Sequence, residues 1–365
     1  MRVIISGGGT GGHIYPAIAI AEAILKKSPD SEILFVGANG KMEMEKVPQA
    51  GFEIVGLDVV GFHRQRMWRN IGFPFKLFKS LRQAKKIIEK FKTDVAVGVG
   101  GYASGPLLIQ AQRKGIPTII QEQNSYPGIT NKWLSKRAKI ICVAYPNMDR
   151  FFSADKIIET GNPIRNKLNP KNTDDKKNAY EYFKMNSNKT TTLIIGGSLG
   201  AKSINQALER NTAYLNQYDD VQYIWQCGKL YHSGLLDTDS AKLDNVTMLP
   251  FIERMDYAYA IADIVIARSG ALTVSELANL SKSSILIPSP NVAEDHQTKN
   301  AMALVNAGAA LMVSDKEIDL WTKVHRDLVD NPVKREKLST AIKSFAKPKA
   351  AGKIADMVLA IAKGD

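Results

Sequence analysis

A histidine stands immediately after a run of glycines close to the amino terminus, in Gly7-Gly8-Gly9-Thr10-Gly11-Gly12-His13. Glycine lets backbone N–H groups approach an anion closely, and a helix that opens at such a turn aims its positive dipole end at the same place. A phosphate-handling turn is therefore expected between an apolar strand and an apolar helix. Histidine is the side chain most readily poised to take a proton near neutral pH. His13 is thus a candidate general base, with an equal alternative in which it caps the turn or donates to a phosphate. The same strand-to-helix device recurs at Val97–Gly105 and at Ile194–Ala201, and three such loops are far less expected by chance than one.

Two further stretches carry chemistry. In Ala267-Arg268-Ser269-Gly270-Ala271-Leu272-Thr273-Val274-Ser275-Glu276 a buried strand meets a small-residue turn and then a helix. Its first N–H groups suit a diphosphate, and Glu276, one turn in, suits vicinal ribose hydroxyls. A capping box at Thr273 and Glu276 explains the same spacing without a ligand, and spacing alone does not separate the two. Asp295-His296-Gln297-Thr298-Lys299-Asn300 follows a proline-rich turn and places polar groups after another strand. Gly7, Gly9 and Gly12 also satisfy G-x-G-x-x-G, the dinucleotide fingerprint. The second strand, however, ends in Gly37-Ala38-Asn39 without the acidic residue that would hold an adenosine ribose, which argues against a dehydrogenase. His63, His232, His296 and His325 stand in no metal-binding spacing, and Asp237-Thr238-Asp239 reads as a solvated turn.

The elements that position these residues alternate. Apolar runs at Val3–Ser6, Ile33–Val36, Val95–Val97, Thr118–Gln121, Ile140–Val143 and Ile157–Glu159 are separated by helical patterns. A second series runs through Thr192–Ile195, Tyr223–Gln226, Val246–Leu249, Ile264–Ala267, Ser284–Ile287 and Ala310–Val313. Alternation of this kind predicts parallel sheets covered by helices on both faces, and 365 residues suit two such domains. Gly161-Asn162-Pro163 and the polar stretch 166–189 mark the expected hinge. Apolar residues at helical spacing in Lys347–Lys363 predict a closing helix. Two doubly wound domains in tandem are expected to face across a cleft, with ligands at the carboxyl ends of the strands.

Composition narrows the class. At 44% hydrophobic and 23% charged the chain is globular, and no apolar stretch approaches a membrane span. The amino terminus opens directly on a strand, which predicts a chain that stays in the cytoplasm. Cys142 and Cys227 are expected as small core residues rather than a disulfide. The net charge of +13 is uneven: +10 over residues 1–163 and +3 over 164–365. Residues 61–92 carry 10 basic residues against one acidic, interleaved with Phe62, Trp68, Phe73, Phe75 and Phe78. Such a mixture attracts an anionic membrane surface, and it equally describes a solvated helix face over ordinary core aromatics. No nucleic-acid recognition motif accompanies the charge.

Taken in order, GGGTGGH, GVGGYASGP, QEQN (Gln121–Asn124), GNPIR (Gly161–Arg165), GGSLGA, ARSGALTVSE and DHQTKNA make the chain resemble the MurG family, within glycosyltransferase family 28, over nearly its whole length. That resemblance implies an α/β GT-B fold of two Rossmann-like doubly wound domains. It assigns 1–163 to a lipid I acceptor and membrane-associating domain, with the C-terminal helix 345–365 packed back on it, and 164–344 to a UDP-GlcNAc-binding domain. The implied activity is inverting transfer of N-acetylglucosamine from UDP-GlcNAc to the muramoyl C4 hydroxyl of lipid I. This forms lipid II for peptidoglycan, and so bears on cell shape and division. No cofactor and no obligatory metal are implied.

The family's donor contacts fall on Thr10, Gly11, Gly12, Asn124, Arg165, Ser198, Ile252, Ala271, Leu272, Thr273, Val274, Ser275, Glu276 and Gln297, with the uracil beside Phe251 and Ile252. The acceptor diphosphate falls at Gly9, Gly100, Gly101, Tyr102 and Ser104. The implied partners are UDP-GlcNAc, lipid I, an anionic membrane surface met through residues 61–82, and a cell-wall synthesis complex. The implied location is peripheral, on the cytoplasmic face of the bacterial inner membrane. Alternatives are a different GT-B enzyme, such as a UDP-glucose glycolipid synthase or a UDP-GlcNAc 2-epimerase, and a non-catalytic sugar-nucleotide sensor or membrane scaffold.

Overall fold

The computed structural model describes residues 1–59, 73–164, 168, 173–292 and 295–364. Two compact units divide the chain: Met1–Arg165 with Lys347–Asp365, and Asn166–Ala346.

The first unit runs β1 (Arg2–Ser6), α1 (Gly11–Lys27), β2 (Glu32–Ala38), α2 (Glu43–Gln49), β3 (Glu53–Leu57), α3 (Phe73–Phe91), β4 (Val95–Gly98), α4 (Ser104–Arg113), β5 (Thr118–Glu122), α5 (Ile129–Leu134), β6 (Ile140–Val143) and β7 (Ile157–Glu159). Its seven strands are parallel in the order β3-β2-β1-β4-β5-β6-β7. The inner strands are nearly continuous Val and Ile because helices cover both sheet faces, and Val3, Ile4, Ile5, Val95, Val97, Ile119 and Ile141 are fully buried.

The second unit runs α6 (Thr173–Phe183), β8 (Thr190–Ile195), α7 (Lys202–Arg210), α8 (Thr212–Asn216), β9 (Val221–Gln226), α9 (Lys229–Leu235), β10 (Val246–Leu249), α10 (Met255–Ile261), β11 (Ile264–Ala267), α11 (Ala271–Asn279), β12 (Ser283–Leu286), α12 (His296–Val305), β13 (Leu311–Met312), α13 (Trp321–Asp330) and α14 (Pro332–Ile342). Its six parallel strands follow the order β10-β9-β8-β11-β12-β13.

The last helix, α15 (Ala350–Lys363), returns to the first unit. Its Ile354, Ala355 and Val358 share one core with Ile14, Ala17, Ile18 and Ile24 of α1. Burying each large aliphatic side chain contributes about 1.5–3 kcal/mol, which explains why α1 is apolar on two sides: it lies between the sheet and α15.

All twelve expected strands are present, and β3 is an additional one. It is an edge strand with a glycine in its middle, and only Leu57 of its five residues is buried. The polar stretch expected as a hinge contains the helix α6, whose Ala179 and Phe183 enter the second unit's core. Both cysteines are buried and free.

Each sheet reverses its strand order once, between β1 and β4 in the first unit and between β8 and β11 in the second. Such switch points are where open α/β sheets bind ligands. The loops that leave these four strands carry the expected motifs.

Candidate functional site

At the first switch point the loop after β1 and the loop after β4 touch through their backbones. Gly100 and Gly101 both adopt positive φ (+95° and +89°), and a Cβ on Gly101 would run into Gly8 O. The His13 ring occupies the space beside Gly100, where an added Cβ would lie 2.8 Å from Nε2. Nδ1 of His13 lies 2.9 Å from Gly8 O, with Thr10 Oγ1 at 3.5 Å. A carbonyl only accepts, so Nδ1 carries the hydrogen and Nε2 the lone pair. In the neutral ring the nitrogen able to accept a proton is then the one beside the second glycine loop.

Helix α1 opens with Thr10 as its N-cap in extended backbone, without a side-chain cap. The N–H groups at a helix start have no partner within the helix, and Gly12 is exposed. Gly9 is placed differently: its N–H donates to Glu43 Oε2 at 2.8 Å, so that donor is spent inside the protein. Tyr102 is 57% exposed on the second loop. Ser104, expected at the acceptor diphosphate, is instead fully buried, its hydroxyl 2.9 Å from Ser6 O and 2.8 Å from Gly100 O. Its hydroxyl ties the end of β1 to the second glycine loop.

The Gln121–Asn124 stretch is a polar frame behind those loops. Gln121 Nε2 donates to Asn162 Oδ1 at 2.9 Å and Asn162 Nδ2 to Gln123 O at 3.1 Å, while Gln123 Nε2 donates to Val99 O at 2.7 Å and also to Gln121 Oε1. The buried Glu122 carboxylate receives the backbone N–H of Asn124 at 3.1 Å, the N–H of Gly128 at 3.3 Å and Asn131 Nδ2 at 2.8 Å. Burial pushes this carboxyl up from its ordinary value, and those donors only partly offset it. Asn124 itself is half-buried, with its Nδ2 turned to Glu122 at 3.3 Å.

At the second switch point the loop Gly196–Gly200 closes on itself through Gly200 N–H to Gly197 O at 3.0 Å. Gly200 has φ +78°, and a Cβ there would run into Cys227 O, so the loops after β8 and β9 abut. Ser198 is half-buried at the turn. The N-cap of α11 is Gly270, with no side-chain cap. Thr273 is therefore the third helical residue and Glu276 the sixth, and the capping box does not form. Glu276 is buried and accepts from Tyr259 Oη at 3.0 Å. Leu272, Thr273 and Ser275 are half-buried, whereas Ala271 and Val274 are buried.

Gln297 joins the two polar stretches of this unit. Its Oε1 accepts from Ser289 N–H at 2.9 Å and its backbone O from Ser269 Oγ at 2.8 Å. The Ile252 side chain, expected beside a uracil, belongs to the hydrophobic core, so any contact it makes with a base is through its backbone; Phe251 is half-buried. Arg165 lies outside the described residues.

Three residues that hold these sites were not singled out from sequence: Glu43, Ser203 and Asp315. Arg268, inside a recognised stretch, donates from Nη1 to Ile287 O (3.0 Å), Pro288 O (3.0 Å) and Asp315 Oδ1 (2.6 Å), and from Nη2 to Ser203 Oγ (2.6 Å). No periodicity or motif marks Glu43 or Asp315. The available signal for Glu43 was the missing Cβ at Gly8 and Gly37, the two positions its side chain fills.

The chain matches the glycosyltransferase family 28 N-terminal domain over residues 3–143 and the glycosyltransferase family 28 C-terminal domain over residues 191–355. It is 52% identical over 360 residues to a Flavobacterium psychrophilum protein, covering 98% of this chain and 97% of that one. It is 50% identical to a Bacteroides fragilis protein, covering 100% and 96%. Both are named UDP-N-acetylglucosamine–N-acetylmuramyl-(pentapeptide) pyrophosphoryl-undecaprenol N-acetylglucosamine transferase. Among solved structures, Acinetobacter baumannii MurG aligns at a TM-score of 0.75 and 30% identity over 98% of this chain and 99% of that one. A Neisseria meningitidis UDP-GlcNAc 2-epimerase aligns at 0.70 over 99% and 100%, but at 15% identity it shows the fold alone. Two parallel Rossmann-like sheets and matches to both family domains, which together span most of the sequence, lead to one conclusion: this chain belongs to glycosyltransferase family 28 and has the GT-B fold.

Proposed function

We propose that this chain transfers N-acetylglucosamine from UDP-GlcNAc to the muramoyl C4 hydroxyl of an undecaprenyl-diphosphate-linked acceptor, forming the disaccharide lipid of peptidoglycan synthesis. Relatives at about half identity over their full length carry the name of this reaction. The observation in the molecule that carries the mechanism is the His13 ring, its Nδ1 on Gly8 O and its Nε2 beside Gly100.

In this reading the acceptor hydroxyl gives its proton to Nε2 of His13 as its oxygen bonds to the anomeric carbon. The bond from that carbon to the UDP oxygen breaks, UDP leaves with the electron pair, and the configuration inverts. The first unit holds the acceptor, with its diphosphate at the loops of Gly9, Gly100, Gly101 and Tyr102. The second unit holds the donor: the ribose on Glu276, and the diphosphate at the Ser198 loop and the start of α11. Helix N-termini stabilise developing anionic charge. Together with Arg165 they supply what a metal provides in other sugar-nucleotide enzymes, and the transfer needs no cofactor. Thr10, Gly11, Gly12, Asn124 and Gln297 complete the donor contacts.

The acceptor is a lipid, and α3 supplies a surface for its membrane. Phe75 and Phe78 are 81% and 62% exposed, beside exposed Lys76, Lys79 and Arg82. The Arg82 guanidinium lies 5.9 Å from the Phe78 ring centroid. Residues 61–72 of the expected patch lie outside the described residues. Among the described residues no helix is long and apolar enough to cross a membrane. In this reading the protein binds peripherally at the cytoplasmic face and serves cell-wall synthesis, cell shape and division; the exposed aromatic and basic residues of α3 and the lipid-linked acceptor in its relatives' names support it.

The test is the product. Incubation with UDP-GlcNAc and a lipid I analogue is expected to add one N-acetylhexosamine in β configuration at the muramoyl C4. An unmodified acceptor, or a UDP-sugar epimerised at C2 in its absence, overturns the reading. For the surface, Phe75→Ser with Phe78→Ser is expected to release the protein from anionic vesicles in a sedimentation assay while turnover of a short-chain soluble acceptor persists; unchanged sedimentation contradicts it.

A further inference from the structure

We propose that Glu43 is a positioning residue that sets the tautomer of His13 through the Gly8–Gly9 peptide group. Glu43 is the first residue of α2 and only 1% exposed. Its carboxylate accepts the Gly9 N–H at Oε2 (2.8 Å) and the Ala38 N–H at Oε1 (3.0 Å). The space it fills is made by missing side chains. A Cβ on Gly8 would run into its carboxylate, and one on Gly37 would lie 2.5 Å from its Cγ.

A trans peptide points its N–H and its C=O in opposite directions, and there is no cis bond among the described residues. Fastening the Gly9 N–H to Glu43 therefore turns the Gly8 carbonyl to the far side, where His13 Nδ1 meets it at 2.9 Å. The hydrogen bond to an ionised acceptor is the stronger kind, and bonds in a chain polarise one another. Carboxylate, peptide and imidazole form a relay whose outcome is Nδ1–H and a basic Nε2. Without the carboxylate, a peptide between two glycines has little to stop it turning over. Turned over, it presents an N–H to Nδ1 and favours the opposite tautomer, in which Nε2 already holds the hydrogen and has no lone pair with which to accept the hydroxyl proton. The proposal rests on the reading of His13 as the base, but its central statement concerns a tautomer and can be read without any turnover.

The experiment is nitrogen-15 NMR of the full chain labelled at histidine, with the His13 signals assigned by their loss in His13→Ala. In the parent, His13 is expected as the Nδ1–H tautomer. In Glu43→Gln, whose carboxamide cannot accept from both N–H groups with both of its heteroatoms, the Nε2–H form is expected to appear. In the same variant kcat is expected to fall at least about 10- to 100-fold, the range seen when a metal-bound imidazole loses its orienting partner, with KM for UDP-GlcNAc unchanged. Gly8→Ala, which displaces the carboxylate without removing its charge, is expected to shift the tautomer in the same direction. An Nε2–H His13 in the parent, or an Nδ1–H His13 kept in the folded variants, overturns the relay. The base reading fails separately, on a His13→Ala variant that keeps its kcat.

Discussion

The two switch points have the same topology and are held by different buried side chains. Behind the glycine loops of the first unit sits the Glu43 carboxylate, fastened to the backbone N–H groups of Gly9 and Ala38. Beside the loops of the second sits the Arg268 guanidinium, fastened to the carbonyls of Ile287 and Pro288 and to Asp315. An anion spends donors, and a cation spends acceptors. The first site has given up the Gly9 N–H and orients an imidazole. Both sites start their helices without a side-chain cap, α1 and α4 in the first and α7 and α11 in the second. In the proposed reading the first copy moves a proton and the second receives a diphosphate.

The largest test of this contrast is His13→Ala. A positioned base is worth about 10²–10⁴-fold, and a loss of that size in kcat is expected, with the dissociation constant of UDP-GlcNAc unchanged in calorimetry. Weakened donor binding with turnover retained would erase the division between the units.

Next is Arg268→Ala, which strands a largely buried Asp315 and two carbonyls. Removing one partner of a buried pair destabilises by about 3–5 kcal/mol, and the 18% exposure of the Asp315 side chain points to the lower end. Denaturant unfolding is expected to show the loss in the second unit alone, and equal loss in both would count against it.

A smaller effect is expected for Glu276→Gln, which keeps a partner for Tyr259 but removes the charge offered to the ribose. Charged hydrogen bonds contribute about 1.5–3 kcal/mol, so KM for UDP-GlcNAc is expected to rise about tenfold or more, while KM for the acceptor holds. A change confined to the acceptor would place Glu276 in the wrong half of the comparison.

The last contrast is in pH. His325 is buried between Thr192 Oγ1 and Tyr214 Oη, each at 2.7 Å, and burial holds its imidazole down at about 3. Its unfolded value is about 6.5. Between those limits the unfolded chain binds one proton more than the folded one, so stability is full above about 6.5 and is lost as pH falls toward 3, by up to about 1.4 kcal/mol per pH unit. Acid unfolding of the second unit is expected to lose that slope in His325→Gln, and an unchanged slope would assign it to other groups.

Most of the scaffold was legible because parallel strands buried on both faces are short apolar runs that need no context to recognise. What escaped was β3, an edge strand with a polar first residue and a central glycine, and α6, whose helix lies in a stretch of Asn, Lys and Asp. In the sites, the loops were legible from glycine and the residues that hold them were not. Glu43 and Asp315 act from distant segments, and an acidic residue in an ordinary surface-like run carries no sign that its carboxylate turns inward. Ser104 was legible as part of its motif, but the bonds of its hydroxyl to Ser6 O and Gly100 O were not. The Thr273 and Glu276 pair was undecidable by spacing, and only the position of Gly270 at the helix start removed the capping box.

The measurement that bears most directly on the whole account is UDP release from UDP-GlcNAc by the purified chain, with and without a lipid I analogue, repeated in excess EDTA. Release that requires the acceptor and is indifferent to EDTA is the predicted result. No release with a verified acceptor, or release abolished by EDTA, would contradict it.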